Sequence, residues 1–147
     1  MPETIAPILR SKGNAVWSLG PAATVYEAIE LMAEKSVGAL AVVWNGSLVG
    51  IISERDYARK VILQGRSSKE TRVEEVMTPS PITVTPAHNV EECMRLMTEQ
   101  RIRHLPVLDG ERLAGMISIG DLVKAIISAQ AETIEQLHTY IGAKYPA

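Results

Sequence analysis

The feature that most constrains this chain is an internal duplication. Sliding the sequence along itself by 65 residues aligns residues 16–62 with residues 81–127 without a gap, and 15 of the 47 aligned pairs are identical. Unrelated sequences of ordinary composition give roughly three. The identities include Pro21/Pro86, Val25/Val90, Glu27/Glu92, Leu31/Leu96, Met32/Met97, Leu40/Leu105, Val42/Val107, Gly50/Gly115, Ser53/Ser118 and Asp56/Asp121. Many are apolar positions at helix or strand spacing, so the chain is expected to fold as two like units about an internal pseudo-twofold axis.

Each copy reads as strand, helix, strand, strand, helix. In the first, Thr24 and Glu27 form a capping-box pattern, Val25, Ile29 and Met32 give the following helix one apolar face, and Gly38 lies just past its end. Residues 39–44 are a short run of strand formers, Asn45-Gly46 is a hairpin turn signal, and residues 48–52 return. The second copy has Asn89 and Glu92 at its helix start, strands at 105–108 and 113–117, and Asp109-Gly110 as its turn, with the turn glycine one place earlier. Ser53-Glu54-Arg55-Asp56 and Ser118-Ile119-Gly120-Asp121 then open a second helix in each copy, ending near Leu63 in the first and well past Ile127 in the second. This divides the chain into an N-terminal arm (1–15), a first unit (16–64), a polar linker (65–75), a second unit (76–129) and an amphipathic helix and tail (130–147). Pro79-Ser80-Pro81 breaks any helix before the second copy. In the tail Ile134, Leu137 and Ile141 keep helical spacing and need a surface to lie on.

Composition narrows the function. With 147 residues, 46% of them hydrophobic, and a net charge of -2, the chain is expected to bury a core, and it lacks the basic surface that nucleic-acid binding draws on. No apolar run reaches membrane-spanning length. Cys93 is the only cysteine; with no leader pattern over residues 1–12, it points to a reducing cytoplasmic compartment. Cys93 aligns with Ala28 on an apolar helix face and reads as a small buried hydrophobe, and Met32, Met94 and Met97 read as core filling. His88 and Glu91 are close in sequence, but no second cluster completes a metal site, and His138 lies far off on the tail. No glycine-rich phosphate loop, Walker lysine or nucleophile elbow is present, so no enzyme is expected.

Two copies that each end in Gly-apolar-apolar-Ser-x-x-Asp resemble a pair of CBS domains, the tandem α/β repeats of a Bateman module. Gly50-Ile51-Ile52-Ser53-Glu54-Arg55-Asp56 and Gly115-Met116-Ile117-Ser118-Ile119-Gly120-Asp121 carry the strand-to-helix motif. Val76-Met77-Thr78 and Ile102-Arg103-His104-Leu105-Pro106-Val107 carry the start of a domain and its central strand. The chain is similar to stand-alone CBS pairs of bacteria and plant organelles, which lack a catalytic domain. The resemblance implies a cleft between the copies that holds an adenine nucleotide (AMP, ADP, ATP or NAD), pairing into homodimers, and signalling to a partner protein, with thioredoxin-type proteins as the candidate. The ligand-binding set it implies is Ser18, Gly38, Ala39, Ser53, Arg55, Asp56, Lys60, Thr83, Arg103, His104, Ser118 and Asp121. The competing reading is a constitutive scaffold with empty clefts.

Taken alone, Ser-x-x-Asp is a capping box. A carboxylate in the first turn of a helix is also placed to accept from two vicinal ribose hydroxyls while the helix N-terminus faces phosphate. Arg103 and His104 are expected on opposite faces of one strand, with Arg55 and Lys60 as the other cations for phosphate. Gly38 and Ala39 stand in their place in copy one, and Gly120 in the place of Arg55, so the half-sites are chemically unequal. Because Arg103 and His104 share a copy with Asp121, Asp121 is expected to be the more sensitive of the two acids.

Overall fold

The structure, a computed structural model, describes residues 3–13 and 16–144. Helix α1 (Ala6–Ser11) comes first, followed by strand β1 (Ser18–Leu19), helix α2 (Val25–Lys35) and the hairpin of β2 (Ala39–Trp44) and β3 (Ser47–Ser53). Helix α3 (Glu54–Tyr57) then widens into a π-helical turn over Ala58–Ile62. After helix α4 (Val73–Val76) and strand β4 (Thr78–Pro79) come helix α5 (Val90–Gln100), the hairpin of β5 (His104–Asp109) and β6 (Arg112–Ser118), and helix α6 (Ile119–Lys144). This is the α/β duplication predicted, a β-α-β-β-α repeat followed by one whose first strand is reduced to a single bridge, and α6 carries the tail in one continuous helix. The tail's last three residues, 145–147, lie outside the described residues, as do those at 1–2 and 14–15 of the arm.

The two sheets are unequal for a reason visible in the sequence. In the first, β1 runs parallel to β2 with Ser18 opposite Ala41, and β4 extends the far edge of β3. In the second only β5 and β6 form strands, and the counterpart of β1 shrinks to one bridge, Val84 to Val107. The Ala41 N–H donates to the Trp17 carbonyl at 3.3 Å. Its counterpart is Pro106, which has no N–H to give, so the ladder loses that rung.

The hairpins differ in the same way. Asn45 and Gly46 both have positive φ (50° and 77°), as a type I′ loop requires. In the second hairpin Asp109 pairs with Arg112, so the loop is Gly110-Glu111 rather than Asp109-Gly110, and only Gly110 has positive φ. A glycine at the first loop position suits a type II′ turn, which accounts for its shift by one place.

Helix α5 starts with a full capping box: Glu92 N–H donates to Asn89 Oδ1 at 2.7 Å and Asn89 N–H to Glu92 Oε1 at 3.1 Å. Helix α2 has only the forward half, Glu27 N–H to Thr24 Oγ1 at 3.1 Å. Both helices end in a left-handed residue that is not glycine, Ser36 (φ 54°) and Arg101 (φ 55°). Gly38 therefore lies beyond the cap and is not itself the cap.

Each repeat has its own core, and the aligned pairs Ala28/Cys93, Met32/Met97, Leu40/Leu105, Val42/Val107 and Ile52/Ile117 occupy matching places in the two. Met94 is partly buried against the second core. Each core is closed by a segment outside the 65-residue alignment. Val73 and Val76 are buried in the first core, while Ile5 is buried in the second with Ile8 and Leu9 packed beside it. Val73 N–H donates to Ala23 O at 2.8 Å, and Ile5 N–H to His88 O at 2.9 Å. A second correspondence, with an offset of 68, thus relates residues 3–9 to residues 71–77. Within the segment read as a polar linker, Thr71 is 2% exposed, and its carbonyl accepts from Val25 N–H at 2.9 Å. The same symmetry explains Gly50 and Gly115. A Cβ there would sit 2.5 Å from Met77 Sδ in one repeat and 2.5 Å from Leu9 Cδ2 in the other.

Candidate functional site

Two clefts meet at the junction of the repeats. Each combines the strand-to-helix turn of one repeat with the segment that leads into the central hairpin of the other. The first, of about 580 Å³, is lined by Ser53 to Asp56 and Arg59 of repeat one, by Arg101 to His104 of repeat two, and by Thr78 and Ser80 to Ile82 between them. The second, of about 400 Å³, is lined by Ser118, Asp121 and Met116 of repeat two, by Ser36 to Ala39 of repeat one, and by Lys12, Val16 and Trp17 of the N-terminal segment. Both volumes lie in the range of small-ligand sites. Gly38 and His104 line both clefts. A Cβ on Gly38 would stand 3.4 Å from the His104 ring, so a larger residue would crowd the point where the clefts join.

The Ser-x-x-Asp turns are built as capping boxes. Ser53 N–H donates to Asp56 Oδ2 at 2.9 Å and Asp56 N–H to Ser53 Oγ at 3.3 Å; the bonds between Ser118 and Asp121 are 2.9 and 3.1 Å. Capping engages Oδ2 of each acid and leaves Oδ1 for other partners. In repeat one Asp56 Oδ1 faces Lys60 Nζ at 3.1 Å, and Lys60 also donates to Val76 O at 2.9 Å. In repeat two Lys12 donates to Asp121 Oδ2 at 2.7 Å and to Met116 O at 2.7 Å.

The sequence-predicted residues separate into three groups. Ser53, Arg55, Asp56, Arg103, His104 and Gly38 line the first cleft; Ala39, Ser118 and Asp121 line the second together with Gly38 and His104. Ser18, Lys60 and Thr83 line neither. Lys60 is spent on Asp56 and a backbone carbonyl, Ser18 is exposed on β1, and Thr83 lies beside the bridge at Val84. Arg103 does not share a strand with His104, since β5 begins at His104; both nevertheless face the first cleft. The crossed construction also alters the expected partnership: Arg103 lines the cleft of Asp56 and not that of Asp121, whereas His104 lines both. Sequence reasoning missed Arg59, Arg101 and Lys12. The first two flank recognised motifs, whereas Lys12 becomes legible only through the 68-residue correspondence.

Charge distinguishes the clefts. The first is lined by four arginines, Arg55, Arg59, Arg101 and Arg103, against two acidic residues, Glu54 and Asp56. Arg55 is held across the junction by a bond from Nη1 to Arg101 O at 3.2 Å. Such an excess of fork-shaped donors suits a phosphate. The second has one cation among its described residues, Lys12, paired with its one acid.

Burial, with Lys12 and Arg103 nearby, pushes the His104 pKa below its ordinary value against the pull of Asp121, so the ring is neutral near pH 7. For Asp121 burial acts upward, but the bonds from Lys12 and Ser118 outweigh it and hold the carboxyl below its ordinary value. In both cases the unfolded chain takes up the proton first, so stability falls as pH drops. The His104 contribution is complete above about pH 6.5 and is lost as pH falls through its depressed value; that of Asp121 is complete above about pH 4 and is lost below it. Melting temperatures from pH 8 to pH 3 are expected to fall in two stages, and His104→Gln should remove the upper one. A single stage below pH 4 in both proteins would contradict this. Burial raises the Cys93 thiol to about 11, as fits a core residue and not a nucleophile.

Among the described residues no group of three or more His, Cys, Asp or Glu side chains is placed to hold a metal ion, and no helix is long and apolar enough to cross a membrane. The family model for the CBS domain matches residues 14–62 and 73–128. Over 97% of its length the chain is 45% identical to the mitochondrial CBS domain-containing protein CBSX3 of Arabidopsis thaliana, covering 73% of that protein. A protein with CBS domains from Burkholderia ambifaria superposes with a TM-score of 0.83 at 55% identity, covering 87% of this chain and 96% of that one. The CBS pair of MJ0100, solved with 5′-methylthioadenosine and S-adenosylmethionine, shares the fold at a TM-score of 0.78 and 24% identity, over 88% of this chain and 99% of that one.

Proposed function

We propose, for a chain that belongs to the CBS-domain family and carries its domain twice, that it is a non-catalytic sensor of adenine nucleotides whose first cleft is the ligand site. The observation that carries this reading is the meeting, in the lining of one 580 Å³ cleft, of a helix-start acid with four arginines. The carboxylate of Asp56 reads a ribose diol, and the arginines balance phosphate. That pairing favours AMP, ADP or ATP over a ligand without phosphate. The family is generally regulatory, and the cleft walls come from both repeats. A ligand with different affinity for two arrangements of those repeats therefore shifts their populations and signals to a partner protein. The resemblance to plant-organelle pairs makes a thioredoxin-type protein the candidate receiver, and the single buried thiol is compatible with a reducing compartment such as the cytoplasm.

A melting series with AMP, ADP and ATP tests the reading. At a hundredfold excess over Kd, binding adds about 2.7 kcal/mol, or roughly 5–11 °C for a chain of this size. Unchanged melting with all three nucleotides would favour the scaffold reading.

A homodimer is the second part of the proposal. Helix α6 leaves Ile127, Ile134 and Leu137 at 59%, 56% and 55% exposure, a row of apolar side chains that one copy does not cover. Ile141, the next residue in that row, has its side chain outside the described residues. Truncation after Ser128 is expected to weaken self-association in light scattering at tens of micromolar. A full-length chain that is strictly monomeric there would overturn this part.

A further inference from the structure

We infer that Lys12 is a built-in occupant of the second cleft, so that the chain binds nucleotide at one site per copy and not at two. The inference rests on the reading of the clefts as nucleotide sites and adds which of them is open. The Lys12 ammonium reaches two acceptors at the second cleft, Asp121 Oδ2 and Met116 O, each at 2.7 Å. A ligand that approached Asp121 from this cleft would meet the Lys12 ammonium, which offsets the charge of the acid and holds it by a charge-assisted bond at Oδ2. The lysine is also tethered. It ends α1, whose Ile5 is fully buried in the second core with Ile8 and Leu9 packed on it, so its ammonium is held near the cleft at high effective concentration.

Among the described residues the first cleft has no such occupant. Past the stretch that relates residues 3–9 to 71–77 the two segments part, α1 running on to Ser11 where β4 stands at Thr78–Pro79, and the segment that reaches the first cleft presents Ser80, a short neutral side chain. Asp56 is paired instead with Lys60 of its own helical segment, and Lys60 does not line the cleft. One pseudo-twofold axis therefore relates an open cationic cleft to one closed by the chain's own cation.

Titration calorimetry with AMP separates the possibilities. The unaltered chain is expected to bind one equivalent, lost in Asp56→Ala. Lys12→Ala is expected to bind two, the new step being lost again when Asp121→Ala is added. Lys12→Met, which removes the charge but keeps most of the bulk, should raise affinity at the second cleft at least tenfold over the unaltered chain. Two equivalents in the unaltered chain, or one in both Lys12 variants, would overturn the inference and leave the nucleotide reading standing. No AMP binding by any of these proteins would overturn the nucleotide reading, and this inference with it.

Discussion

Asp56→Ala is expected to weaken AMP binding by roughly ten- to a hundredfold, corresponding to about 1.5–3 kcal/mol for hydrogen bonds to a charged group. The same carboxylate closes the capping box with Ser53, so the substitution should also cost about 1 kcal/mol of stability, or roughly 3 °C in melting temperature. Asp56→Asn separates the two effects, because an amide oxygen still accepts from Ser53 N–H while the charge is gone. The asparagine variant should keep most of the melting temperature and lose most of the affinity. If both variants bind AMP as the unaltered chain does, Asp56 is a helix cap and nothing more. Asp121→Ala in the unaltered background is expected to change AMP affinity far less. This reverses the ranking drawn from the sequence, because Arg103 lines the cleft of Asp56 and Lys12 occupies Asp121.

That reversal marks what a duplicated sequence can and cannot reveal. Fold class, the central hairpins and most of the helix starts were legible because they depend on local period and turn chemistry, which 47 gapless pairs at an offset of 65 display twice. The family motif was legible for the same reason: Gly50 to Asp56 and Gly115 to Asp121 are contiguous. The partnership across each cleft was not. It joins Asp56 to Arg103 and Asp121 to Ala39, and an alignment that stacks Asp56 on Asp121 puts Arg103 beside Asp121 by sequence proximity alone. The loss of a strand at Val84 could have been read from Pro106, since a missing donor is a local fact. Lys60 meets Asp56 because one turn of helical spacing brings the two together, an ion pair outside the lining of the cleft.

The segment hardest to read was the first one, and the largest stability effect is expected there. Residues 1–15 read as an N-terminal arm in the sequence, because the alignment at an offset of 65 begins only at Val16. Yet Ile5 is fully buried in the second core, and the Val90 N–H donates to Glu3 O at 3.0 Å. Ile5→Ala should therefore cost about 2–5 kcal/mol, the range for truncating a buried isoleucine, which lowers the melting temperature of a chain this long by roughly 5–20 °C. Val73→Ala, its counterpart in the first core, should cost somewhat less, since a smaller side chain is removed. Hydrogen exchange then tells which repeat is affected: Ile5→Ala is expected to speed exchange in β5 and β6 before β2 and β3, even though those strands lie about a hundred residues away in the chain. An arm that merely trails from the fold would leave both melting and exchange unchanged, and equal loosening of the two sheets would mean that the repeats unfold as one unit and not as two cores sharing a junction.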